Sequence, residues 1–490
     1  MTDDHAKNAT SIYGNKLINT PNIDRIGKEG VTFTNAFVTN SICGPSRATF
    51  LTGKYSHING YKDNRDLHFD GSQWTYPKEL QNAGYYTAMI GKWHLGSYPT
   101  GFDFWKILVN QGEYYNPRFI EQDHDTVQQM GYTTEILTDL AMKIIDSVQG
   151  RPFCIMLHQK APHRNWMPDA KYFHLFDSDT LPMPDNYFDD YATRSLAAKQ
   201  QDMEVRNLYL SYDLKLYLNE GEEDPGSGGS ERFAQQAKEA WEHSLNRLTR
   251  EQREAWDSYY KPISDEFYRN KLTGKKLEQW KYQRYIKDYL RCIVSVDDNV
   301  GILLDYLQKK GLLDNTIIIY TSDQGFFLGE HGWYDKRFMY EESIGIPFLM
   351  RYPKLFKPGT VKNEIVLNLD LAPTLLDILH LPIPEDVQGE SMMALFNPQT
   401  ENRWRKSMYY HYYEYPYGWH KVKRHYGIRT ERYKLIHFYN DIDAWELYDL
   451  KNDPHEMVNL YGDSRYTHTV DTLKKDLYLL QKKYKDDLQD

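Results

Sequence analysis

Hard oxygen donors stand in two pairs far apart in the chain, Asp3-Asp4 and Asp323-Gln324. Adjacent carboxylates repel each other unless a cation compensates them, so an Asp-Asp pair at a strand end suggests a metal. An isolated pair would more often be a turn or a helix cap; the other polar blocks in the chain shift the balance. No His/Cys cluster accompanies these oxygens, which favours Ca2+, with Mg2+ second, over zinc. Cys43 stands just before a helical stretch, Ser46 to Thr52, whose free N–H groups would face an anion at Cys43. Arg47 follows one turn later and can neutralise that site. Lys92 and Lys336 could hold an anionic group through a transition state, and His94 and His163 could move protons. Any one of these four alone would be an ordinary surface or core residue.

The elements that must position them alternate. Pro21 opens a short helix with Thr20 as its cap. Val31-Thr32-Phe33-Thr34-Asn35-Ala36-Phe37 alternates as a strand does. Tyr85 to Ile90 reads as a buried strand ending at Lys92 and His94. Phe153 to Leu157 ends near His158 and His163, and Thr316 to Thr321 ends at Asp323. Polar, chemistry-bearing residues thus recur at strand C-termini, where open α/β sheets bind ligands. A helix around 285 to 308 carries one apolar face and stops at Gly311. Short strands follow at 408–413, 425–429 and 433–438, with a helix near 468–484. Residues 222–230 are an acidic, Gly-rich breaker.

The 490 residues have room for one large α/β domain and a smaller one. Charged residues are 26% and hydrophobic residues 40%, which excludes a disordered chain. The net charge of -10 and the lack of any nucleic-acid motif argue against nucleic acid. An anionic glycan would need a local basic pocket. The 41 Tyr residues lend weak support to a sugar partner. Three Cys do not make a disulfide framework; Cys154 and Cys292 read as buried hydrophobes. No apolar segment approaches the roughly 18 residues of a membrane span.

The run Cys43-Gly44-Pro45-Ser46-Arg47, continued by Ala48-Thr49-Phe50-Leu51-Thr52-Gly53, resembles the signature of type I sulfatases. Four more blocks accompany it in that family's order: Thr2-Asp3-Asp4-His5, Gly91-Lys92-Trp93-His94-Leu95-Gly96, Ala161-Pro162-His163, and Ser322-Asp323-Gln324-Gly325 with Gly329-Glu330-His331-Gly332 through Lys336. The resemblance implies an alkaline phosphatase-like α/β fold: a large mixed, mostly parallel sheet flanked by helices, with a smaller C-terminal antiparallel sheet domain. It implies a catalytic domain over 1–385 with a helical insertion at about 180–290, then a C-terminal subdomain over 386–490. It further implies that a formylglycine-generating enzyme oxidises Cys43 to formylglycine. The hydrate would join Asp3, Asp4, Asp323 and Gln324 on the metal and attack sulfur. The sugar hydroxyl would leave, and deprotonation of the second hydroxyl would expel sulfate. Arg47 would hold the diol, and Lys92 and Lys336 the sulfate oxygens. His94 would be the base and His163 the acid or a donor to the sulfate, and the acid and base labels could be exchanged. Relatives often carry Asn or His where Gln324 stands.

The tracts Gly329 to Glu342, Tyr409 to Pro416 and His425 to Thr430 look most like bacterial sulfatases acting on N-acetylglucosamine-6-sulfate. That likeness implies that Asp335, Arg337 and His425 grip sugar hydroxyls. A carboxylate beside a guanidinium is a natural reader of paired hydroxyls, and equally a salt bridge that locks a loop. Gly345 departs from relatives, which often carry Arg there. The expected activity is exo-acting removal of 6-O-sulfate from glucosamine of heparin or heparan sulfate. Alternatives are an arylsulfatase, a galactosamine-6-sulfatase, a phosphonate monoester hydrolase, or a non-catalytic sulfoglycan binder. The family places an apolar strand directly before the Asp-Asp pair, so a first strand and a signal peptide are expected upstream of Met1. A periplasmic or secreted location is expected with them.

Overall fold

The computed structural model describes every residue except 16, 66–67, 149, 220–221, 223, 225–230, 419 and 488–490, and only the backbone of 231–233. The acidic breaker at 222–230 lies almost wholly outside the described residues. Strands run in chain order as β1 (Val31–Phe37), β2 (Tyr86–Gly91), β3 (Phe104–Leu108), β4 (Arg118–Glu121), β5 (Thr126–Gln128), β6 (Phe153–His158), β7 (Ile318–Thr321), β8 (Phe327–Leu328), β9 (Tyr334–Asp335), β10 (Phe348–Arg351) and β11 (Thr360–Leu367), then β12 (Ser407–Tyr412), β13 (His425–Thr430), β14 (Tyr433–Phe438) and β15 (Ala444–Asp449).

One sheet has the order β11-β1-β10-β7 and another β5-β4-β3-β2-β6. Parallel pairs are β1/β11, β2/β3 and β2/β6; the others are antiparallel, so the layer is mixed. Met1 and Thr2 lie between β6 and β7 and join the sheets. The Met1 nitrogen donates to Leu157 O at 2.8 Å, and Gln159 N donates to Met1 O at 2.9 Å. On the other side Thr2 N donates to Thr321 O at 2.9 Å, and Asp323 N donates to Thr2 O at 3.1 Å. This two-sided pairing carries straight into Asp3 and Asp4.

The helix after β1 spans Cys43–Thr52 and so begins at Cys43 itself, three residues earlier than its sequence suggests. Every one of its residues is buried. The helix Pro21–Lys28 starts where the proline indicates, but Thr20 does not cap it with its side chain. Asp297 does, accepting from Ile23 N at 2.8 Å and Asn22 N at 3.1 Å. Asp297 sits on the long helix Gly274–Lys309. Burial raises the Asp297 carboxyl to about 6, against its bonds to the Ile23 and Asn22 N–H groups. The same helix sends Tyr289 to the loop after Met1, where its hydroxyl donates to Asp4 O at 2.7 Å and accepts from Ala6 N at 2.8 Å.

The C-terminal sheet, order β12-β13-β14-β15, is wholly antiparallel and is covered by the helix Thr467–Tyr484. Its core is continuous with that of the larger sheet: Phe338 and Met339 share one buried cluster with Tyr410, Ile428 and Ile436. Among the described residues, no helix is long and apolar enough to cross a membrane.

Candidate active site

Asp3, Asp4 and Asp323 converge from the segment beside β6 and from the end of β7. Each offers an oxygen within 4.8 Å of the others', and all three are buried. Asp323 is held by Arg47, whose Nε donates to Oδ2 at 2.9 Å while NH2 lies 2.8 Å from the same oxygen. Its Oδ1 accepts from Asp4 N and Gln324 N, each at 3.1 Å. Lys92 Nζ donates to Asp3 Oδ2. Lys336 Nζ donates to both Asp4 oxygens, at 2.6 and 2.8 Å. Gln324 Nε2 donates to Asp4 Oδ1. Asp3 Oδ1 and Gln324 Oε1 are buried and lack a hydrogen-bond partner among the described residues.

The electrostatics state the same need for a cation. Burial raises the Asp4 carboxyl and lifts Asp323 to about 7, with Asp3 beside both pushing the same way. Burial pushes the Asp3 carboxyl up, but Lys92, His163, Arg47 and Lys336 together outweigh it and hold Asp3 well below the usual carboxylate range. Clustered carboxylates and orphaned oxygens, with no soft donor except Cys43, fit a hard divalent ion. Asp3, Asp4, Asp323 and Gln324 are the residues that would hold it.

Cys43 opens its helix beside this cluster, within ligand reach of Asp3 and His163. Burial pushes its thiol up to about 12, despite the nearby Lys336 and Lys92 ammoniums. As a plain thiol it is a poor nucleophile. Ser46, on the same helix, donates its hydroxyl to Asp323 O and accepts from Asn368 Nδ2 at 3.0 Å. Ser46 thereby clamps the Cys43 helix to the end of β7. Gly91, at the end of β2, has φ 94°, and a Cβ there would lie 2.1 Å from His158 O. Only glycine lets the chain turn there to deliver Lys92 and His94.

His163 reaches the cluster, and His94 lies within its electrostatic field. Burial, then the Lys92 ammonium, holds each imidazole well below its ordinary value. Gln111 Nε2 lies 3.0 Å from His94 Nε2. His163 Nδ1 lies 2.7 Å from Arg164 O and donates to it, which leaves Nε2 free, 3.8 Å from Asp4 Oδ2. Tyr114 fixes the same turn by donating to His163 O at 2.6 Å.

Lys336 has Asp335 and Arg337 as immediate neighbours, and they turn away from the carboxylates. Arg337 NH1 pairs with Asp335 Oδ1, so a salt bridge does lock this loop. Asp335 Oδ2 lies 3.1 Å from His420 Nε2, and His420 Nδ1 lies 3.2 Å from Asp202 Oδ1. Arg337 Nε is 3.7 Å from Glu414 Oε1. His425 is not part of this group. Its Nδ1 donates to Lys423 O at 2.7 Å, and its ring packs among Phe338, Tyr410, Tyr412 and Phe438. The histidine that the C-terminal segment sends to Asp335 is His420, five residues earlier, on a loop rather than a strand.

Sequence reasoning also missed Gln111, Ser46, Asn368, Asp202 and Glu414. None stands in a motif of its own. Two had a signal: Ser46 its place inside the Cys43 run, and Glu414 its place inside the tract Tyr409 to Pro416.

The chain matches the sulfatase family over residues 1–381. It also matches the family described as N-sulphoglucosamine sulphohydrolase, C-terminal, over residues 329–483. An N-acetylglucosamine-6-O-sulfatase of Bacteroides thetaiotaomicron is 49% identical, with 99% of this chain and 86% of that protein covered. An arylsulfatase of Clostridium perfringens is 27% identical, over 97% of this chain and 92% of its own length. A solved structure of a protein in complex with its substrate D-glucosamine-2-N,6-O-disulfate superimposes with a TM-score of 0.93 at 49% identity, covering 99% of this chain and 97% of that one. Likeness of that extent takes in every strand end that carries these side chains, and so this chain belongs to the sulfatase family and is a sulfuric ester hydrolase.

Proposed function

We propose that the chain removes 6-O-sulfate from glucosamine residues at the end of heparin or heparan sulfate chains. The observation that carries this reading is the division of labour within residues 335–337. Lys336 Nζ points into the carboxylate cluster, while Asp335 and Arg337, with His420 and Glu414, form a polar ring beside it. A sulfate at the first and a sugar's hydroxyls at the second suit one sulfated monosaccharide unit. The 49% identical N-acetylglucosamine-6-O-sulfatase and the structure holding a 6-O-sulfated glucosamine support that choice of sugar.

Asp3, Asp4, Asp323 and Gln324 would hold a Ca2+ or Mg2+ ion, which when bound would supply charge stabilisation for sulfate oxygens, and Cys43 would supply the hydroxyl nucleophile once a maturation enzyme had oxidised it to formylglycine. Lys92 and Lys336 hold the sulfate oxygens as charge shifts among them. Arg47 holds Asp323 in place and favours its charged form against burial. The bound sulfate ester's negative charge favours protonation of His163 at Nε2, and that proton goes to the departing sugar oxygen; His94 takes a proton when sulfate is expelled. We assign the catalytic domain to residues 1–385 and the C-terminal subdomain to 386–490, and the location to the periplasm or outside the cell. The test is sulfate release from a panel of sulfated monosaccharides by protein co-expressed with a formylglycine-generating enzyme. Release from N-acetylglucosamine 6-sulfate is expected. Release only from aryl sulfates or galactosamine 6-sulfate would refute the assignment.

A further inference from the structure

One wall of the catalytic centre opens into a cleft that the steps above leave unused. His163 lines it, and so does Gln111, the partner of His94. The cavity measures about 330 Å3, within the range of small-molecule sites. Its Lys and Arg residues are Arg118, Lys160, Arg164 and Arg247, and Glu113 is the one acidic residue among those lining it. In a chain with a net charge of -10, this is a local reversal of sign.

Two of the four cations are spoken for. Arg164 makes two bonds of 2.7 Å to buried Asp213, and Arg118 makes two, of 3.1 and 2.9 Å, to Glu113. Lys160 differs. It is only 4% exposed, and its Nζ reaches the Arg164 carbonyl at 3.4 Å and the face of Tyr114 at 4.9 Å. No carboxylate among the described residues pairs with it. Burial, then the Lys92 ammonium, lowers its pKa to about 8, so it still carries its charge at neutral pH. Arg247, just past the helix Glu231–Asn246, donates NH2 to Asn116 O, has NH1 3.8 Å from Glu113, and leaves Nε buried without a partner. A buried ammonium with no carboxylate in contact is costly even with Asp3, Asp4 and Glu113 acting on it from a distance, and an anion arriving with a ligand lowers that cost.

We propose that this cleft is a second anion subsite, in which Lys160 and Arg247 hold an acidic group that the substrate carries besides the sulfate being cleaved. The inference rests on the sugar reading given under Proposed function. The group is a sulfamate or a carboxylate, from an N-sulfo substituent on the same glucosamine or from a neighbouring uronate. The subsite makes the enzyme favour the more highly charged substrate.

Three sugars test it: N-acetylglucosamine 6-sulfate, glucosamine 2-N,6-O-disulfate, and a disaccharide joining a uronate to N-acetylglucosamine 6-sulfate. In Arg247→Gln and in Lys160→Gln, the ratio of kcat/KM for a doubly charged sugar to that for the singly charged one falls about tenfold, the size of one lost charge-assisted contact. A fall for the disulfate alone puts the anion on the same sugar; a fall for the disaccharide alone puts it on the neighbour. Unchanged ratios in both variants, whatever the absolute rates, overturn the subsite. If the unaltered protein turns over none of the three, the sugar reading has failed, and calorimetric binding of the same sugars to Cys43→Ala decides the subsite. A preference for the doubly charged sugars that Arg247→Gln removes upholds it, and equal affinities overturn it.

Discussion

Three buried carboxylates, Asp3, Asp4 and Asp323, meet three cations, Arg47, Lys92 and Lys336. The balance looks neutral, yet Asp3 Oδ1 and Gln324 Oε1 are left without a hydrogen-bond partner among the described residues. Asp323→Asn keeps the shape and the acceptor for Asp4 N and Gln324 N but removes the charge. We expect sulfate release to fall by about a thousandfold or more, in line with the several kcal/mol that a bound cation supplies to such a reaction. Chelation of the unaltered protein should match that loss, and calcium should raise the melting temperature of the unaltered protein alone. Near-normal turnover in either case would remove the metal from the scheme. His420 acts one step further out, through Asp335. His420→Ala should raise KM about tenfold with a smaller change in kcat, since it frees a carboxylate from a fixed position. Partial recovery in His420→Gln, read in the same steady-state assay, would separate positioning from simple loss of packing.

Strand β13 shows how an element can bury a histidine among aromatic rings while a neighbouring loop carries another to Asp335. His425 begins β13 opposite Tyr412 and Phe438, and its ring is boxed by aromatic faces. Burial lowers its pKa to about 3, against the raising effect of the bond to Lys423 O. The folded state therefore keeps His425 neutral where the unfolded chain, with an ordinary imidazole near 6.5, takes up a proton. Below that value the unfolded state binds more protons, so stability is lost as pH falls from about 6.5 toward about 3. At pH 5 the penalty is about 2 kcal/mol relative to pH 7.5. His425→Phe fills the same box and lacks this penalty. Its denaturation midpoint should fall less than that of the unaltered protein between pH 7.5 and pH 5. Parallel losses in the two proteins would show that His425 titrates normally.

Across the whole molecule, the larger sheet and the C-terminal sheet are tied by charge as well as by a shared apolar core. Lys434 on β14 lies fully buried between Glu341, at 2.9 Å, and Glu456, at 2.7 Å. Arg429 on β13 adds two bonds to Glu341, whose backbone N–H donates to Glu456 Oε2 at 2.8 Å. Arg429 and Lys434 hold Glu341 well below the usual range, while burial lifts Glu456 to about 8. Lys434→Met leaves both carboxylates short of a partner, and breaking a buried pair in this way costs about 3–5 kcal/mol. We expect a clear drop in the urea midpoint. Because the cores are continuous, near-ultraviolet circular dichroism and fluorescence should still report one shared transition. A separate early transition for the C-terminal sheet would show that the interface is weaker than it looks.

Several features could be read from residue order alone. The Cys43 run and the strand ends that deliver Lys92, His94, His163 and Asp323 follow from local patterns, whose information lies within a few residues; the mixed sheet with a small antiparallel domain came with the family resemblance those patterns carry. The start of the Cys43 helix was misplaced by three residues because its N-cap is Ile42, which announces nothing. The choice of His420 over His425 depended on which histidine a strand buries and which a loop carries back to Asp335, a matter of pairing register and loop path. Asp297 capping Pro21–Lys28, Asn368 holding Ser46 and Gln111 holding His94 are contacts between segments far apart in sequence. The basic cleft was likewise invisible, since residues 111–118, 160–164 and 243–247 become neighbours only when the chain folds. The sequence alone determined which side chains could do the chemistry, because residue types and strand-end spacing are local properties. Only the tertiary structure decided which of them meet and which charges remain unpaired, because burial and partnership arise between segments that nothing in the order of residues connects.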